Sequence, residues 1–69
     1  MEEPMSTNPI DVIRMALERE KFAVRDYTEF AKTAKEPSIR EMFLFLAEEE
    51  KKHVKLLEEE IDREVNREM

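Results

Sequence analysis

A single interruption, Lys35-Glu36-Pro37-Ser38, divides this chain into two long stretches of helical periodicity and leaves no room for a third element. Proline disfavours helix in the residue before it, and Ser38 followed by Glu41 has the spacing of a capping box, so the chain turns here and restarts as helix. Before the interruption, Ile13, Ala16, Leu17, Ala23, Val24, Tyr27, Ala31 and Ala34 recur at three- and four-residue steps, the spacing of one helical face. Asn8-Pro9 supplies the start: an N-cap, proline at the first helical position, and Asp11 favourable to the dipole. After the interruption, Ile39, Phe43, Leu46, Val54, Leu57 and Ile61 form a second stripe. The expected order is a short tail, a helix over about 9–34, a turn at about 35–37 and a helix over about 38–66, as one all-α domain spanning residues 1–69. Each helix is close to 40 Å long at ~1.5 Å per residue, and a short connection makes the two antiparallel.

A hairpin gives each helix one contact face and leaves much of its apolar surface wet. Chains of fewer than about 70 to 80 residues rarely hold more than ~3–5 kcal/mol from a single core, so they use a disulfide, a metal or a partner. The chain has 69 residues and no cysteine, which leaves metal or oligomerisation and excludes thiolate zinc sites and rubredoxin-type iron. Two hairpins covering each other as a homodimer would make a four-helix bundle. The off-stripe residues Met15, Phe22, Phe45 and Leu56 suggest a further contact in a higher oligomer. With a net charge of -6 and acidic and basic residues mixed along both halves, nucleic acid is not an expected partner. No apolar run approaches the roughly 20 residues that span a bilayer, and Met1-Glu2-Glu3-Pro4 is acidic where a secretory signal is basic, so no membrane is expected and the expected location is cytoplasmic.

The informative residues break the stripes. At ~100° per residue, Glu20 lies at the centre of the first apolar arc, Glu50 at the centre of the second, and His53 on that second arc one turn later. An unpaired buried carboxylate costs several kcal/mol, so these acids need compensation. In an antiparallel hairpin, residues equally far from the turn face each other. Glu20 and Glu50 each stand fifteen residues from Lys35, and the same rule sets Leu17 opposite His53 and Tyr27 opposite Phe43. Taken one at a time, each has an ordinary reading: Glu18-Arg19-Glu20-Lys21 and Glu48-Glu49-Glu50-Lys51-Lys52 as solvated charge runs, His53 as a partly exposed helix histidine, Tyr27 as a core aromatic. Their joint phase and height favour a metal site. A Glu-x-x-His pair places a carboxylate and an imidazole on one helical face, and two copies of the hairpin would supply four glutamates and two histidines, the ligand set of di-iron helix bundles. Four carboxylates balance two divalent ions. Oxygen-rich ligation with one imidazole per metal suits iron or manganese, and zinc can take the same positions.

Glu20 with Tyr27 seven residues on, the segment Ala47-Glu48-Glu49-Glu50-Lys51-Lys52-His53, and the thirty-residue separation of the two glutamates resemble the rubrerythrin and ferritin-like superfamily, especially the short two-helix encapsulated ferritins. The resemblance implies that Glu20, Glu50 and His53 are iron ligands and catalytic residues, with Glu50 bridging two irons and His53 terminal. It also implies that Tyr27 supports a ligand carboxylate by hydrogen bonding. Ferroxidase chemistry follows from it, in which Fe(II) is oxidised by oxygen or peroxide for iron storage or protection from oxidative stress, and so does an encapsulating shell protein as a partner. A full rubrerythrin also carries a cysteine-ligated domain that delivers electrons, and a chain without cysteine would need an outside reductant for a peroxidase cycle. Encapsulated ferritins carry a docking tail, whereas here the helical pattern runs to Asn66-Arg67-Glu68-Met69. The competing expectation is a non-catalytic structural or adaptor dimer, in which the same three side chains form a hydrogen-bonded polar layer that fixes register.

Overall fold

A computed structural model describes residues 8–67 and contains, among them, two helices and no strand. The tail expected before Asn8 and the Glu68-Met69 end lie outside the described residues. Helix α1 spans Pro9–Thr33 and begins as the sequence requires, with the Asn8 side chain accepting a hydrogen bond from the Ile10 amide at 2.9 Å and Pro9 in the first turn. It ends one residue earlier than expected, because Ala34 turns to an extended conformation while its amide still donates to the Phe30 carbonyl.

Helix α2 spans Pro37–Arg67, which revises the expected start. Proline needs no amide partner in a first turn and has its φ already set for helix, so Pro37 opens α2 and Glu36 accepts the first bond, from the Arg40 amide at 3.0 Å. Ser38 therefore sits inside the helix and the Ser38–Glu41 capping box does not form the boundary. Arg40 also donates to the Ala34 carbonyl at 3.4 Å, tying the start of α2 to the end of α1 across the three-residue connection. With 25 residues in α1 and 31 in α2, the second helix runs past the first at the open end of the hairpin.

The antiparallel register matches the expectation from distance to the turn. Tyr27 and Phe43 stack with ring centroids 6.2 Å apart, and Phe30 adds a tilted contact with Phe43 at 5.3 Å. Among the described residues, only Ala31 and Ala47 are buried apolar groups. Ala47 stood outside the stripe read from the sequence, and Ile39, which stood inside it, remains exposed. Small residues at these buried positions let the two backbones approach closely.

The two flanks of each stripe are not equivalent. On α1, Ile10 and Thr28 lie about 80° to one side of Glu20 and are half-buried, whereas Val12 and Phe30 lie about 80° to the other side and are each 49% exposed. On α2, Ala47 lies on the buried flank, while Ile39, Met42 and His53 fall on the exposed one. Because the helices are antiparallel, these exposed flanks open on the same side of the hairpin. The result is a broad apolar face that α1 and α2 cannot cover for each other.

Replacing Ala47 with Leu should force the helices apart. We expect a stability loss of about 1–3 kcal/mol, read as a lowered midpoint in urea denaturation monitored by circular dichroism.

Candidate metal centre

The helices bring three of the residues singled out in the sequence to one place. Ligand atoms of Glu20, Glu50 and His53 all lie within 4.8 Å of one another, one residue from α1 and two from α2. The His53 Nδ1 atom is 3.3 Å from Glu50 Oε1 and 3.5 Å from Glu20 Oε1. Glu50 and His53 converge because they stand one turn apart on α2, and Glu20 meets them because it is equally far from the turn on α1. Tyr27 is elsewhere within the hairpin: it lies two turns along α1 from Glu20, about 10 Å along the axis, and packs on Phe43.

The charge run around Glu50 shows how this residue differs from its neighbours. Glu48 pairs with Lys51 at 3.0 Å and Glu49 with Lys52 at 3.2 Å, both on the helix surface in the i, i+3 pattern of solvated charges. Glu50 turns the other way and meets His53, with its side chain 21% exposed against 64% for Glu48. Surface pairs of the first kind contribute ~0–1 kcal/mol. Among the described residues, the Glu20–Glu50–His53 group is the one set of three acidic or histidine side chains arranged to hold a metal ion.

Glu20 carries the sharpest signal. Its Oε1 atom is buried and has no hydrogen-bond partner, because the approach of His53 at 3.5 Å lacks hydrogen-bond geometry. A buried carboxylate oxygen left in that state is costly, and a cation is the kind of partner that resolves it. Two of the three donor spacings agree: two ligands about 2.1 Å from one ion at roughly right to tetrahedral angles stand about 3.0–3.5 Å apart, which brackets the His53–Glu50 and His53–Glu20 distances of 3.3 and 3.5 Å, within a cluster whose ligand atoms lie within 4.8 Å of one another. Two carboxylates and an imidazole are also the donor types preferred by iron and manganese. The residues present therefore fit a divalent metal. The His53 side chain remains 52% exposed in the hairpin, on the open apolar face rather than between the helices.

A rubrerythrin family model matches residues 11–68, and the chain belongs to the rubrerythrin family. Searches of curated proteins and of solved structures returned no match. The matched span includes both helices of the hairpin and all three residues of the cluster. Among the described residues, no helix is long and apolar enough to cross a membrane.

The orphaned oxygen makes a prediction about stability. In chelator-treated protein, Glu20→Gln should raise the thermal midpoint, because it removes a half-buried charge with one buried oxygen at constant shape. With Fe(II) or Mn(II) added under argon, the wild type should gain stability and the variant should gain little.

Proposed function

We propose that two copies of the hairpin close face to face into a four-helix bundle whose interior layer, made of Glu20, Glu50 and His53 from each copy, holds a pair of iron ions and oxidises Fe(II). The observation that carries this reading is the buried, unpartnered Glu20 Oε1 atom pointing into a cluster of metal-ligand composition. Family membership supports iron as the metal. The apolar face supports the dimer, since Val12, Phe30, Ile39 and Met42 are exposed on the side of the hairpin that carries His53. A second copy placed there would bury those residues and close the half-exposed imidazole into the same layer.

Each side chain has a distinct task in this site. Glu20 and Glu50 supply the negative charge that binds the metal pair, four carboxylates per dimer against two divalent cations. Glu50 and His53, one turn apart on one helix face, would hold the metal from the same side, with His53 contributing a nitrogen ligand. The surrounding apolar side chains exclude water and keep the carboxylates short of competing hydrogen bonds, which strengthens their hold on a cation. Bound iron supplies one-electron redox chemistry between Fe(II) and Fe(III), with oxygen or peroxide as acceptor. Iron storage or protection from oxidative stress is the role such chemistry serves.

A second reading has one observation in its favour. His53 Nδ1 stands within 3.5 Å of both carboxylates, so a protonated imidazole could hold the acids without a metal and leave a purely structural polar layer.

Metal analysis and Fe(II) oxidation separate the two. Protein purified without chelator should hold about one metal per protomer, and addition of Fe(II) in air should give rapid oxidation that Glu50→Ala and Glu50→Gln both abolish. Absence of bound metal together with oxidation at the buffer rate would leave the structural reading standing, and Glu50→Gln would then keep or raise the stability of the fold.

A further inference from the structure

Along the sequence acidic and basic residues alternate, but the hairpin sorts them. Counted at ~100° per residue from Glu20, the residues of α1 that fall at about 80–140°, on and past its buried flank, are Ile10, Arg14, Lys21, Arg25, Thr28 and Lys32. Four of these are cations and none is an acid. Counted from Glu50 in the same way, that flank of α2 carries, after Pro37, Arg40, Leu44, Lys51 and Lys55, and its acids, Glu58 and Asp62, come only at the open end of the hairpin. Because the helices are antiparallel, the two flanks face the same way. They lie about 140–180° around each helix from the open apolar side that shows Val12, Phe30 and His53, and so form the back of the hairpin. Every one of these cations is exposed, on a chain of net charge -6.

The register turns the two flanks into a ladder. Residues equally far from Lys35 stand level, which sets Arg14 beside Lys55, Lys21 beside Lys51, Arg25 beside Leu44 and Lys32 beside Arg40. These rungs are about 8 Å apart and together span about 25 Å. Few of the charges are satisfied. Lys32 pairs with Glu29 at 3.3 Å and Lys51 with Glu48 at 3.0 Å. Among the described residues, Arg14, Lys21 and Lys55 have no ion pair, and Arg25 lies over the Phe22 ring at 4.5 Å. Glu18 and Glu29 on α1, with Glu41 and Glu48 on α2, fall at about 160–180°, along the two outer rims.

The back is therefore a narrow strip, basic along its middle and acidic at both rims, and that shape selects the polyanion. A nucleic-acid double helix is wider than the strip and would bring its phosphates over the rim acids. Single-stranded nucleic acid is held by aromatic side chains set among the cations, and these flanks contain none. An acidic polypeptide is one chain wide, and in extended form its same-side residues recur every ~7 Å, close to the rung spacing. We propose that the back of the hairpin docks an extended acidic segment of a partner protein, whose carboxylates meet the rungs from Arg14 and Lys55 to Lys32 and Arg40. Charge complementarity of this kind sets partner choice and association rate, and salt weakens it. The strip faces away from the Glu20–Glu50–His53 cluster and does not depend on what that cluster binds.

Fluorescence anisotropy of a labelled peptide of Glu-Ser repeats, long enough to span the ladder, tests the proposal on the full chain. Lys21→Glu/Arg25→Glu reverses two cations of the strip. Lys52→Glu/Arg63→Glu makes the same change in net charge at exposed positions off the strip. The first pair should weaken peptide binding about tenfold or more and the second no more than about twofold, with Lys21→Gln/Arg25→Gln in between. Helix content and metal content per protomer should match the wild type in all three, and added salt should weaken the wild-type complex. Equal losses in the two charge-reversal variants would reduce the effect to net charge and overturn the proposal. So would the absence of wild-type binding at low salt, or tighter binding of a thymidine oligonucleotide carrying the same number of charges.

Discussion

Everything in this hairpin follows from placing two carboxylates at the centres of the only apolar stripes the chain has. A chain of 69 residues folded as two helices can bury few side chains, and among the described residues the buried apolar ones are two alanines. Against so small a core, a buried carboxylate oxygen without a partner is a large liability. The fold does not remove that liability by turning Glu20 outward. It gathers Glu50 and His53 around it, so that the three side chains form one cluster of metal-ligand composition.

In the proposed function two completions act on the same group and reinforce each other. A cation would offset the charge of Glu20 and Glu50, and a second hairpin would cover the apolar residues and the exposed imidazole that surround them. A metal held by three donors of one hairpin would sit at a water-exposed surface, and a second hairpin without a cation would bring two more carboxylates into an already acidic layer. On that proposal dimer formation and metal binding would be one equilibrium, with metal affinity and subunit affinity expressions of the same free energy. So short a chain would then sustain a site whose ligand set in longer bundles is spread over four covalently connected helices.

The positions of the helices and the meeting of Glu20, Glu50 and His53 were legible in the sequence, because they depend on quantities a sequence contains: periodicity, phase, and distance from a proline-marked turn. The start of α2 was misread by one residue, since Ser38 carries the chemistry of a cap but Pro37 already has the dihedral angle of a first turn, and the fixed ring prevailed. Ala47 was missed for a different reason. A stripe read from large side chains passes over alanine, although closest approach of two backbones selects for it. The inequality of the two flanks was beyond phase alone. An arc centred on Glu50 is symmetric until the handedness of the packing decides which side turns to α1, and that decision exposes Phe30, Met42 and His53 while enclosing Thr28 and Ala47.

That inequality carries the functional argument further than the cluster does. Had His53 lain on the flank facing α1, one hairpin could have enclosed all three ligands and the site would have been a mononuclear pocket within a single chain. Because it lies on the open flank beside Val12, Phe30, Ile39 and Met42, the imidazole is displayed together with an exposed apolar surface. The same rotation leaves Phe45 and Leu56 exposed. A single packing choice between two helices thus sorts the surface into an enclosed side and an open apolar side on which the Glu20–Glu50–His53 cluster shows its imidazole.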